Sequence, residues 1–282
     1  MDKVNTAMEV NKVFKEKGTC AQTYFFILNR YFKNANEIYE SASDLLAGGI
    51  MNRGYQCGML WGSSLAVGMD SFRRYGNCPQ GWNRTIETTR KICESFSRRT
   101  GTNNCRDYTG CDLTSILGFV KFTWLSFSKG LENSPCFKLA GMWVEEAIQT
   151  ASENLNNKSS NLNEPALNCA SVTAEKLGAS DEEIAIVAGF AGGLGLQGNA
   201  CGALAALIWI KMVRWCERNP GKKAPYFNNK TGKSIVKEFL KVTNAEVACS
   251  RICGRMFNSV KELSDFIEQG GCKKIIDCLA SM

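Results

Sequence analysis

The 282-residue sequence contains no histidine. That absence excludes a Ser-His or Cys-His nucleophile pair, a zinc site with imidazole ligands, and haem attachment through a CxxCH motif. Proline is scarce, at five residues, which suits helices better than a turn-rich sandwich. The N-terminal MDKVNTAMEVNKVFKEKG lacks the apolar stretch of a secretory signal, so a reducing, cytoplasmic setting is expected. No basic block is interleaved with aromatics, and the formal charge of +7 is spread over both halves. Nucleic acid is therefore not an expected partner. Arg98, Arg99 and Arg106 are the local basic residues that could offset the charge of a bound group or greet an acidic partner. Residues 184–210 carry no charge and imitate a membrane span, yet Gly192, Gly193, Gly195 and Gly198 interrupt them. Two buried helices joined by a glycine-rich turn are expected there, with no membrane association.

Against these gaps stand 14 cysteines. With imidazole missing, thiolate is the one strong soft ligand, so any metal site is all-thiolate or thiolate with carboxylate help, which points to iron–sulfur or zinc. Disulfides are not expected in a reducing compartment. A lone cysteine is by default an inert, buried small hydrophobe, but that is a poor account of so many. The 44% hydrophobic content supports a substantial core, and abundant Ala, Leu, Lys and Glu favour an all-α fold.

The cysteines repeat. Residues 46–62 read LAGGIMNRGYQCGMLWG and residues 190–206 read FAGGLGLQGNACGALAA, an ungapped offset of 144 with seven identities in seventeen. The same offset carries Cys105 onto Cys249, each after an amphipathic helix (RKICESFSRR, KSIVKEFLKV). With short gaps, Cys20 matches Cys169 and Cys136 matches Cys272. Each half then holds four cysteines in the same order. Two similar helical-bundle modules with pseudo-twofold packing are expected, residues 1–151 and 166–282, joined by a polar Asn/Ser-rich linker over 152–165.

Ser180-x-x-Glu183 predicts a capping box. The turns at 48–54 and 192–198 predict helix ends, which places Cys57 and Cys201 near the start of the following helix. Unpaired N–H groups there favour a thiolate. Gly48, Gly49, Gly58, Gly192, Gly193 and Gly202 would let backbone approach a bound cofactor without a Cβ clash. Cys78, Cys93, Cys111, Cys216, Cys253 and Cys278 fall outside the matched set and are inert by default, with Cys253 and Cys111 the first exceptions to expect. The wide spacing of the matched cysteines differs from CxxC zinc clasps and ferredoxin runs. A site would be assembled by tertiary folding.

The string GGIMNRGYQCGMLWG, followed by NCRDYTGCDLTSILG, with an upstream CAQ and a later cysteine, resembles the bacterial C-GCAxxG-C-C family of redox-active proteins, which is common in anaerobes. Gly58 and Gly62 are in place, with Met59 where Ala is usual; the second half keeps Ala203 but has Ala206 for the final Gly. A similar module accompanies the haem domain of split-Soret cytochromes c, where it is associated with an iron–sulfur centre. The resemblance thus implies metal ligation by Cys20, Cys57, Cys105, Cys136 and by Cys169, Cys201, Cys249, Cys272. Some relatives resemble selenoproteins, which implies a reactive thiol instead.

The leading expectation is a redox protein with up to one [2Fe-2S] or [4Fe-4S] cluster per half, an electron carrier rather than an enzyme, working with a redox partner protein as a monomer or homodimer. The alternatives are a thiol–disulfide oxidoreductase attacking through Cys57 or Cys201, and a helical scaffold with inert or zinc-binding cysteines.

Overall fold

Helices account for the regular structure of the computed structural model, whose described residues are 6–128, 130–157 and 164–282. Among them no strand forms, only two isolated bridges. The first half contains α1 (Thr6–Lys17), α2 (Cys20–Tyr31), α3 (Glu37–Ala42), α4 (Gly58–Tyr75), α5 (Pro79–Thr100), α6 (Cys105–Thr109), α7 (Ile116–Phe127) and α8 (Pro135–Asn156). The second contains α9 (Cys169–Lys176), α10 (Asp181–Ile186), α11 (Gly202–Arg218), α12 (Lys230–Val242), α13 (Cys249–Ile252), α14 (Val260–Glu268) and α15 (Lys273–Ala280). The all-α expectation holds. The 152–165 stretch is not all linker, because α8 runs on to Asn156; residues 158–163 lie outside the described residues.

Local chemistry sets the helix boundaries. Side chains of Thr19, Asn36, Ser115, Ser134, Asn168, Asn229 and Ser259 each accept a hydrogen bond from an otherwise orphaned amide of the first turn. Pro79 and Pro135 occupy first positions, where a missing N–H costs nothing. Gly101 and Gly110 close α5 and α6 in the left-handed conformation.

One hydrophobic core runs through both halves. Contacts between them are reciprocal: α4 packs on α10, and its counterpart α11 packs on α3. Trp61 meets Phe190 edge-on at 4.9 Å, and Trp209 meets Tyr39 at 5.3 Å while donating to its carbonyl. The uncharged 184–210 stretch lies inside this core as α10, a 3₁₀ turn (Val187–Phe190), the glycine-rich turn and the start of α11. No helix among the described residues is long and apolar enough to cross a membrane.

The capping box forms, and it has a second partner. Glu183, 1% exposed, accepts hydrogen bonds from the Ser180 amide at 2.7 Å and from both terminal nitrogens of Arg214 at 2.6 Å. Burial raises its carboxyl, but the Arg214 and Ser180 hydrogen bonds outweigh burial and hold it below the usual range. A folded-state pKa below the unfolded one gives stability that is present above the unfolded value and lost as pH falls through the folded value. Arg214 is one-third exposed, so screening reduces the contribution to about 1–2 kcal/mol. Glu183→Gln is therefore expected to lower Tm at pH 7 by roughly 3–6 °C, with the gap to wild type closing as pH drops below about 4. A gap independent of pH in thermal melts would assign the loss to shape instead.

Candidate thiol sites

All eight matched cysteines lie at helix beginnings. Cys20, Cys105, Cys169 and Cys249 are the first residues of α2, α6, α9 and α13. Cys57, Cys201 and Cys272 are the N-caps of α4, α11 and α15, and Cys136 is the second residue of α8. Helix starts present spare N–H groups, the local environment a thiolate prefers.

Backbone pairing brings distant starts together, identically in both halves. Cys57 N–H donates to Asn103 O at 2.8 Å, Cys105 N–H to Tyr55 O at 2.6 Å, and Arg106 N–H to Gly54 O at 3.1 Å. At the 144 offset, Cys201 N–H donates to Val247 O at 3.0 Å, Cys249 N–H to Asn199 O at 2.5 Å, and Ser250 N–H to Gly198 O at 2.9 Å. The two isolated bridges, Gln56 with Asn104 and Ala200 with Ala248, belong to these pairings. Cys249 thus occupies the place in its half that Cys105 occupies in the first.

The glycine turns before Cys57 and Cys201 are left-handed over five consecutive residues, Gly48 to Asn52 and Gly192 to Leu196. L-residues pay roughly 1–2 kcal/mol each in that conformation, and Ile50, at φ 58°, is β-branched. Sealed backbone contacts hold the strain in place: a Cβ on Gly49 would stand 2.3 Å from Tyr55 N. The six glycines singled out by sequence divide by role. Amides of Gly48 and Gly58 point at Cys20 sulfur, and the amide of Gly192 at Cys169. Gly49 seals its turn, a Cβ on Gly193 would stand 2.7 Å from Asn199 N and 3.0 Å from Cys249 Cβ, and a Cβ on Gly202 would stand 2.0 Å from Phe190 O rather than near a sulfur.

In the first half, Cys20, Cys57, Cys105 and Cys136 all line one cavity of about 400 Å³. Cys57 hydrogen-bonds to Cys20, which with the Gly48 and Gly58 amides draws the Cys20 thiol below its ordinary value against the effect of burial. Cys57 moves the other way: its bond to Cys20, then burial, then the neighbouring cysteines push it well up. Burial, then Cys20 and Cys111, push Cys105 up to about 12. Burial, then Cys105, Cys20 and Cys111, raise Cys136. One thiolate is favoured in this group, and each further one is opposed by the last.

In the second half, burial, then Cys272, push Cys169 up to about 12, and burial, then Cys169, raise Cys201. Cys253 joins this group: its sulfur lies 3.9 Å from that of Cys249 and 3.6 Å from that of Cys272. These contacts form a chain through Cys253 rather than a closed cradle. Among the described residues no three Cys, Asp or Glu side chains gather closely enough to hold a single metal ion. All 14 cysteines are free.

The remaining cysteines separate. Cys111 borders the first group, but its thiol donates to Thr109 O at 3.4 Å. Cys93 is fully buried, its thiol 3.8 Å from Leu194 O, and Cys78 donates to Tyr75 O at 3.3 Å. Of the basic residues, Arg99 is paired with Glu146 and Arg106 with Asp112. Cys57 and Cys201 are 7% and 6% exposed, and raised thiols so placed are poor attackers.

Sequence reasoning missed residues that enclose the first group. Tyr24 is buried and donates to Ala140 O at 2.8 Å. Tyr226, from the second half, reaches across to line the first cavity and donates to Asn52 Oδ1 at 2.7 Å. Gln56 also crosses over: its buried amide donates to Gly193 O at 3.0 Å and accepts from Ala200 N–H at 3.1 Å. It physically joins the first cysteine turn to the second. A change from Ala200 to Gln56 at matched positions was the one available signal.

No curated protein and no solved structure matches the chain. One family pattern, described as "Putative redox-active protein (C_GCAxxG_C_C)", matches it twice, over residues 19–175 and 166–282. Two matches that together span both thiol groups make this chain a member of the C_GCAxxG_C_C redox-active family.

Proposed function

We propose that each half holds one iron–sulfur cluster and that the protein carries electrons to or from a redox partner protein in a reducing compartment. Cys20, Cys57, Cys105 and Cys136 would hold one cluster, and Cys169, Cys201, Cys249 and Cys272 the other. The observation that carries this reading is the gathering of Cys20, Cys57, Cys105 and Cys136, far apart in sequence, around one cavity, with their matches at the same helix starts of the second half and no disulfide among them. The donor set fits: it is all sulfur, backed by amides, in a chain without histidine. A group of mutually opposed thiols is one that a cationic iron core would allow to ionise together. Four thiols that line one cavity without a close cluster among the described residues suit a multi-atom group better than a lone ion.

When bound, such a cluster supplies one-electron transfer. The chain would set its potential through the N–H groups of Gly48, Gly58 and Gly192 at the sulfurs and through burial, which limits water. The matched pattern is also what an internal duplication would leave, with modules near 1–151 and 166–282.

A second reading rests on the 3.6 Å separation of Cys253 and Cys272, both half-buried. A small movement would let these thiols form a disulfide, the working pair of a thiol–disulfide oxidoreductase. Anaerobic purification with iron, sulfide and zinc counts separates the two. The expected result is brown protein with iron and acid-labile sulfide in similar amounts and little zinc. Colourless protein that loses two hydrogens at Cys253 and Cys272 on mild oxidation would replace the cluster reading with the second.

A further inference from the structure

The two thiol groups differ in what lies above them. Over the first, the cavity wall is aromatic: Phe14 stacks on Phe137 at 4.3 Å, and Phe119 of α7 meets Phe227 edge-on at 6.1 Å. Among the described residues no Lys, Arg, Asp or Glu lines this space. Of its polar side chains, Thr19 Oγ1 donates to Asp44, Thr123 Oγ1 to Phe119 O, and Tyr226 to Asn52. What the cavity offers a ligand is ring faces, sulfur and the Ser126 hydroxyl. Near the second group, the cavity that includes Cys272 is lined instead by Glu246, Arg251, Lys273 and Lys274. The contrast has a sequence cause. Helix α7 fills the longer Cys105–Cys136 interval, while Cys249–Cys272 is shorter and holds α14 instead.

We infer that the first thiol group binds a small uncharged aromatic molecule in this cavity, between α7 and the Tyr226–Phe227 segment. The volume of about 400 Å³ falls within the usual range for small-molecule sites, about 300–1,000 Å³. An anionic ligand, including a charged low-molecular-weight thiol, would lose its hydration with no cation among the described lining residues to replace it. A neutral ring loses little and gains edge and face contacts from the phenylalanines. The proposal deepens the redox reading, since it places a molecule beside whatever the first four thiols hold, but the binding itself does not depend on a cluster.

The test uses full-length protein purified anaerobically, with iron and sulfide counted on the same sample. Calorimetric titration with 2-naphthol is expected to show one site per chain, and naphthalene-2-sulfonate to bind at least about tenfold more weakly, a difference of about 1.4 kcal/mol. Phe227 is 69% exposed at the rim, so Phe227→Glu should fold normally yet weaken naphthol about tenfold or more, while Phe227→Leu stays within about threefold. Matching thermal melts confirm that both variants fold. Equal binding of the sulfonate, no naphthol binding, or indifference to Phe227→Glu overturns the proposal. Intact naphthol binding in iron-free protein would remove the cluster reading and leave this one standing.

Discussion

Cys57→Ser is expected to remove about half of the bound iron and acid-labile sulfide, Cys201→Ser the other half, and the double variant nearly all of it. The two residues are matched N-caps of α4 and α11, and each sits within its group of four. Serine preserves shape closely enough for folding, but its hydroxyl is a hard, weakly acidic donor that does not replace thiolate on iron. Cys93→Ser is the control. That thiol is as buried as any in the protein, but it lies alone against Leu194 O, so iron should stay at the wild-type level. Cys253→Ser distinguishes the readings further. Iron should be retained if the matched four are the ligands, whereas a disulfide mechanism at Cys253–Cys272 would be abolished. Full iron in Cys57→Ser, or a similar loss in Cys93→Ser, would end the assignment of Cys57.

How much of this was legible beforehand depends on the kind of interaction. The helical fold and capping box follow from local sequence: periodic apolar residues, Ser180 with Glu183, and glycines after helix ends. The matched cysteines were legible because the repeat compares the chain with itself, so residue type and order carry the signal. The left-handed course of Ile50, Met51 and Asn52 was not. Glycines announce such a turn, but nothing in a β-branched isoleucine does, and only long-range contacts sustain it. Cys253, expected among the first exceptions, does join its group: four residues after Cys249, at the C-cap of that short helix, it follows its neighbour into the site. Tyr226 and Phe227 were invisible because the first site borrows them from the other half, where the 144 offset sets them against Trp82 and Asn83 and so gives no hint of the contact. Attack by Cys57 or Cys201 was read from helix position alone. Burial and neighbouring thiols, which sequence does not show, act against it.

The interface between the halves makes the most demanding prediction about stability. At Gly68, α4 approaches the second half so closely that an added Cβ would stand 2.2 Å from Ile186 O and 2.7 Å from its Cα. Both atoms are backbone, so no side chain can swing aside; α4 and α10 must separate instead. Overpacking of this kind costs about 1–3 kcal/mol, occasionally more, and a rigid backbone neighbour argues for the upper end. Gly68→Ala is therefore expected to lower Tm by roughly 6–12 °C, taking about 2–4 °C per kcal/mol for a chain of this size. Gly101→Ala provides the comparison: it adds a methyl at φ 75° with nothing within 4 Å, so it carries conformational strain alone, about 1 kcal/mol. A larger loss at Gly101 than at Gly68 would mean that the close approach is not what joins the halves. If it is, the Gly68 variant should also lose iron from both thiol groups on mild heating, because Gln56 ties the first cysteine turn to Gly193 and Ala200 across the same boundary.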